Sequence, residues 1–180
     1  MSTSEDGQKI RLFRFKNSYN DQTMVEIFPH KYNVYAVKFY LKKHRLSDKR
    51  YSAQYPKKFL KRKNAVTGAA NFIKTMNTVI QISLLEILQN DELASFGFLG
   101  APRPDEANNE DFLNEDGTVS NSIRYRIYNK YARRVFNPDN FRYIESETSS
   151  IMLIRNNKNR EKLSFPVAQQ FIQKEIIPTL

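Results

Sequence analysis

Two hydrophobic periods alternate along this chain. Residues 9–16 (KIRLFRFK), 23–28 (TMVEIF) and 32–41 (YNVYAVKFYL) carry the period of two and the composition of β-strands. In the third, Tyr35, Val37, Phe39 and Leu41 share one face, and Lys38 and Tyr40 the other. The polar cluster 17–22 separates the first two strands, and Pro29-His30-Lys31 breaks off the second. Short connections predict an antiparallel meander. Apolar residues in both phases predict a sheet covered on one face and partly covered on the other.

The period then changes to that of a helix. Over residues 64–90, apolar side chains recur at Val66, Ala69/Ala70, Ile73, Met76, Ile80, Leu84 and Ile87/Leu88. This predicts a helix about 40 Å long at ~1.5 Å per residue. Phe72, Val79, Ile82 and Leu85 widen the stripe until the last three turns are apolar on nearly every side, which predicts a buried helix. Asn64 and Thr67 both have N-cap chemistry. Gly68 in the first turn points to a close backbone approach, or to a helix that begins at Thr67.

Beyond it, 94–100 predicts a short strand, and 105–119 an acidic loop that is either disordered or functional. Residues 120–136 predict a second helix, with Ile123, Ile127, Tyr128, Tyr131, Ala132 and Val135 inward and Arg124, Lys130 and Arg133 outward. Residues 141–145 and 150–155 read as a hairpin, 156–162 as a polar, basic loop, and 166–177 as a final helix. Strands and helices mix without regular alternation, so the fold class is α+β. Its antiparallel sheet (three-strand meander plus later strand and hairpin) packs on the long central helix and the second helix, with a C-terminal helix beyond. Residues 1–8 read as a polar, disordered leader and 9–180 as a single domain.

Composition narrows the functional classes. Hydrophobic content of 40% supports a core, and no run of 18 uncharged apolar residues exists to cross a membrane. The absence of cysteine excludes disulfides, thiolate metal sites and cysteine nucleophiles, and fits a cytoplasmic protein. His30 and His44 stand apart without a carboxylate at ligand spacing, so no metal site is expected. No Gly-x-Ser-x-Gly elbow and no Walker or dinucleotide glycine loop is present. The net charge of +10 is localised: 42–63 holds ten cations against Asp48, while 91–116 holds eight acids against Arg103.

The basic stretch supplies Lys42, Lys43, Arg45, Lys49, Arg50, Lys57, Lys58, Lys61, Arg62 and Lys63, interleaved with Tyr40, Tyr51, Tyr55 and Phe59. Such a surface suits nucleic acid or another polyanion, with cations on phosphates and rings on unpaired bases. Two other readings stand beside it: a solvated loop neutralised by the acidic stretch, or a docking surface for a protein partner. At the start of the long helix, Lys61-Arg62-Lys63 precede Gly68-Ala69-Ala70, and a helix N-terminus beside cations suits an anion.

Gly68 and Ala70, with Asn121, Ile127, Tyr128 and Lys130 on the second helix, resemble two motifs of the GNAT-type N-acetyltransferases. Those motifs read Arg/Gln-x-x-Gly-x-Gly/Ala and Asn-x-x-Ala-x-x-Leu-Tyr-x-Lys. The order of elements over roughly 9–155 is similar to that family's core: antiparallel strands, pyrophosphate-binding helix, strand, second helix, closing hairpin. The chain departs from the pattern at Ala65, Arg124 and Ala132-Arg133. The resemblance implies that Gly68 and Ala70 border the pyrophosphate of acetyl-CoA and that Tyr128 is the general acid for the departing thiolate. Without it, Tyr128 reads as a core tyrosine and the chain as a binding module with no cofactor. The path from Leu41 to Gly68 separates the two: a strand running into the helix favours the enzyme, an outward loop the binding module.

Overall fold

The computed structural model describes residues 11–47, 50–51, 68–102, 104–109, 111 and 113–177. The fold is α+β. Six strands form one open sheet in the order β1-β2-β3-β4-β6-β5, antiparallel except between β3 and β4. They are β1 (Arg11–Lys16), β2 (Gln22–His30), β3 (Val34–Leu41), β4 (Ser95–Leu99), β5 (Phe141–Ser146) and β6 (Ile151–Asn156). The strand β2 continues through Pro29 instead of ending there. The described pairing of β1 with β2 stops at Arg11–Ile27, so among the described residues Pro29 has β3 alone beside it, a position sheets tolerate. A single 3-10 turn, Lys31–Asn33, then delays β3 to Val34; Tyr32 and Asn33 take positive φ of 60° and 53° there. Side-chain bonds hold this turn. Asn33 Nδ2 donates to Asp91 at 2.8 Å, and Asn159 Nδ2 to the Tyr32 carbonyl at 2.7 Å.

The alternation along the strands decides what covers each face. Val25, Ile27, Val37, Phe96, Phe98, Met152 and Ile154 point to one side. There they meet the long helix, which is α1 (Gly68–Val79), a π segment (Ile80–Leu85) and α2 (Glu86–Asn90), and also α4 (Ile123–Val135). Phe96, at 0% exposure, lies at the centre. On the reverse side, α5 (Phe165–Phe171) and the π turn Ile172–Ile176 pack Phe171 and Ile172 on Val34, Ile144, Ile151 and Leu153.

The long helix is less buried than its composition predicts. Met76, Val79, Ile80, Leu84 and Ile87 are in the core, but Ile73 and Leu85 are 41% and 55% exposed. The sheet takes only one face of the helix, and Gln81, Glu86, Gln89 and Asn90 keep the outer face in water. In α4 the inward stripe is Tyr125, Tyr128 and Ala132, continued by Phe136; Ile127 and Val135 are exposed instead. Gly100 sets that register, because its missing Cβ lets the Tyr125 backbone approach to where a methyl would stand 2.5 Å from Tyr125 N. The acidic stretch is partly built as well, with a short α3 (Pro104–Ala107) and a bridge between Leu113 and Val119.

Candidate functional site

The sheet consists of two halves, β1-β2-β3 and β4-β6-β5, joined by the parallel pair. That ladder is brief: Val34, Tyr35 and Ala36 pair with Ser95, Phe96 and Gly97. Each strand then goes on, β3 to Leu41 and β4 to Leu99, still paired to its outer neighbour but not to the other. The halves therefore part toward the end where β3 and β4 finish. There the facing backbone edges have no ladder partner in one another, an arrangement that a buried strand pair normally avoids.

Tyr128 of α4 packs against both arms. Its ring lies 6.2 Å from Phe39 of β3 and 6.5 Å from Phe98 of β4, centroid to centroid. It also stacks on Phe72 of α1, at 6.0 Å and 13° between planes. Tyr128 is 9% exposed. The ring is thus an aromatic core residue and, at the same time, the side chain against which the two strands part. Gly68 and Ala70 occupy the first turn of α1, just before Phe72, so the structure brings the predicted pyrophosphate turn and Tyr128 to one region. Asn71 follows them, fully buried. Its Oδ1 accepts from Ser18 N at 2.9 Å, while its Nδ2 has no partner among the described residues.

Arg124, expected to face outward, reaches across the parted end. Its Nη1 donates to the carbonyls of Ala101, just past β4, and of Tyr51, at 3.2 and 3.0 Å. Tyr51 belongs to the chain that has left β3. The chain makes a 3-10 turn, Lys42–His44, and Tyr51 lies back over β3 and β2; residues 52–67, which complete the path to α1, lie outside the described residues. The Tyr51 hydroxyl donates to Glu26 at 2.5 Å, and Tyr40 donates to the same carboxylate at 3.0 Å. Glu26 stands directly across from Lys38. The Lys38 ammonium lies 5.1 Å from the Phe28 ring centre and 5.3 Å from that of Tyr51. Burial, then repulsion by Arg50, lowers the Lys38 pKa, and Glu26 opposes that shift. Arg50 itself lies over the Tyr51 and Tyr40 rings and donates to the Tyr51 hydroxyl. It is held against the sheet.

Of the predicted basic surface, Lys42, Lys43 and Arg45 are exposed at the end of β3. Lys42 and Lys43 line an open cavity of about 420 Å³ with Asn20, Asp21, Gln22 and Leu41. Lys43 pairs with Asp21 at 3.4 Å; Lys42 and Arg45 make no ion pair among the described residues. Lys49, Lys57, Lys58, Lys61, Arg62 and Lys63, and the capping position Asn64, lie outside the described residues.

Four of the described acids of 91–116 have other partners. Asp91 accepts from Asn33 and Tyr35, each at 2.8 Å, and Glu92 pairs with Lys158. Glu106 accepts from Ile123 N at 2.7 Å and so caps α4, and Asp116 accepts from Thr118. Sequence reasoning did not single out Glu26, Asn71, Glu106 or the Arg124 bridge. A polar residue inside a strand or first turn is the one signal available for them, and it does not name a partner. No protein-family model, curated protein or solved structure matches the chain.

Proposed function

We propose that the chain binds an acyl-CoA where β3 and β4 part, in the manner of the GNAT-type N-acetyltransferases it resembles, and transfers the acyl group to an amine. The observation that carries this reading is the divergence of a parallel strand pair beside the first turn of α1, with Tyr128 against both arms. The residues present fit such a ligand. Gly68 and Ala70 stand at the start of α1, where the positive end of the helix dipole suits a pyrophosphate. Lys42 and Lys43 supply positive charge at the same end of the sheet, and the Nδ2 of Asn71, without a partner among the described residues, supplies a donor. The facing edges of β3 and β4 offer backbone groups to the amides of an extended arm. Acyl-CoA would contribute an activated thioester. Tyr128 would hold the proton that a departing thiolate needs.

Acetyl-CoA at 100 times its dissociation constant should add about 2.7 kcal/mol of stability, or roughly 5–10 °C in Tm for a chain of this size. The absence of any shift with millimolar acetyl-CoA or CoA overturns the reading. Tyr128→Phe should keep the shift and reduce thiol release toward a panel of primary amines by about 10²-fold or more. Equal rates in both proteins would remove Tyr128 from the chemistry.

A second reading has its own support. Lys42 and Arg45 are exposed without ion pairs among the described residues, and Asp91, Glu92, Glu106 and Asp116 are engaged elsewhere. We infer from this that the basic segment contacts a nucleic acid or another polyanion. Affinity for single-stranded RNA should fall with salt, and replacing Lys42 and Arg45 by Gln should reduce the log–log slope by about 1.4. An affinity flat with salt overturns it.

A further inference from the structure

A second cationic site stands at the opposite end of the sheet, on the face that α5 covers. Arg142 of β5 and Arg155 of β6 are directly opposed across the antiparallel ladder. Like charges in that relation are destabilising, and sheets normally place a carboxylate or a neutral side chain there. Arg160 joins them from the turn that follows β6. Together with Pro138, Asp139, Asn157 and Phe165 the three arginines line a cavity of about 630 Å³.

Neither Arg142 nor Arg160 makes an ion pair among the described residues. Arg155 donates from Nη1 to the Leu163 carbonyl at 3.3 Å, while its Nε is buried with no partner among the described residues. Burial, then the charges of Arg142 and Arg160, pushes the Arg155 guanidinium below its ordinary pKa. The surroundings hold the cluster in place. Asn157 Nδ2 donates to the Asp139 carbonyl at 2.9 Å, and the Asn156 side chain caps the turn that leads to Arg160. Phe165, 50% exposed, forms an apolar wall beside the cations.

Three repelling guanidinium groups, one with a buried donor unmet among the described residues and only Asp139 as an acid in the same lining, suit an oxyanion of more than one charge. A flat apolar wall next to them suits an organic group attached to that anion. Guanidinium forks match phosphate oxygens in geometry as well as charge. We propose that Arg142, Arg155 and Arg160 bind the terminal phosphate of a phosphomonoester, with its organic part against Phe165. The site lies apart from the parted strands and does not depend on acyl-CoA binding there. Two sources carry this chemistry, a free mononucleotide and the 5′-phosphorylated end of a nucleic acid strand.

The full chain is titrated at low salt with inorganic phosphate, AMP, a 5′-phosphorylated oligonucleotide and its 5′-hydroxyl counterpart, and Tm and Kd are recorded. AMP or the phosphorylated strand should bind, and the 5′-hydroxyl strand should bind more weakly than its phosphorylated form. Preference for AMP identifies the small ligand, and preference for the strand identifies the strand end. The exposed variants Arg142→Gln and Arg160→Gln avoid disturbing the Leu163 contact of Arg155. Each should weaken the phosphate complex about ten-fold or more. Arg142→Gln should also raise the Tm of the free protein by about 1–2 °C, because it removes a cross-strand repulsion. Binding of AMP and of the phosphorylated strand that is undetectable, or unchanged in the Arg142→Gln/Arg160→Gln double variant, overturns the proposal. Loss of the phosphate response with the acetyl-CoA shift intact separates this site from the other.

Discussion

At the scale of single residues, the open face of β2 and β3 depends on one carboxylate. Glu26 accepts from Tyr40 and Tyr51 and faces Lys38, so it holds two phenols and, through Tyr51, the returning chain, and its charge offsets that of Lys38. Glu26→Gln preserves shape and removes the charge. It should cost about 1.5–3 kcal/mol in urea unfolding, the range for hydrogen bonds to a charged group, and leave Lys38 without its balancing charge. A variant as stable as the parent would show that Tyr51 is held by ring packing alone. The same phenols give the chain an alkaline signature. Tyr35 is pushed up to about 12, chiefly by burial and then by its bond to Asp91. Burial, then Glu26, also raises Tyr51 and Tyr40. Folded phenols therefore keep protons that the unfolded chain releases near pH 10. Their contribution is complete below that pH and is lost as pH rises toward 12. Denaturation monitored against pH should show stability falling across that window, with phenolate absorbance appearing later in the folded protein than in urea.

At the scale of elements, the strands and helices were legible because each buries one periodic face, and the errors arise where a partner changes the register. In α4 the spacing alone put Ile127 and Val135 inside. The junction at its N-terminus decides otherwise. Ser122 Oγ accepts from Tyr125 N at 3.1 Å and donates to the Gly100 carbonyl at 2.5 Å, while Ser122 N donates to Ser150 Oγ at 2.8 Å. The bonds to Gly100 and Ser150 join residues 22 and 28 positions apart, so no local pattern reports them. The long helix misleads in a related way: its outer face carries Leu85, which hydrophobicity assigns to the core and the single adjoining sheet face leaves in water. Gly100→Ala tests the junction. Its methyl would meet Tyr125 N and Cβ at 2.5 Å, and backbone atoms cannot swing aside. The substitution should destabilise the protein by about 1–3 kcal/mol and shift α4, carrying Tyr128 away from Phe39 and Phe98. An unchanged urea midpoint would mean that α4 is free to slide.

At the scale of the whole molecule, the feature that matters is the parting of one sheet into two halves over a shared core. Sequence showed the strands but not this, because pairing is a relation between β3 and β4, whose residues are separated by the entire basic connection and long helix. Residues 64–67, where the connection meets α1, lie outside the described residues. Hydrogen exchange can read the parting directly. Along 37–41, successive amides point alternately toward β2 and toward β4. Those toward β2 have ladder partners, and those toward β4 have none among the described residues. Protection should therefore alternate, slow and fast, along this stretch, and the amides of residues 98 and 99 that face β3 should be fast as well. Uniform protection would show that the halves close in solution and leave no room for an extended ligand. Acetyl-CoA should slow the fast set and leave the slow set as it was. Protection gained instead at Arg142 and Arg155 alone would move the acyl-CoA to the arginine cavity and away from Tyr128.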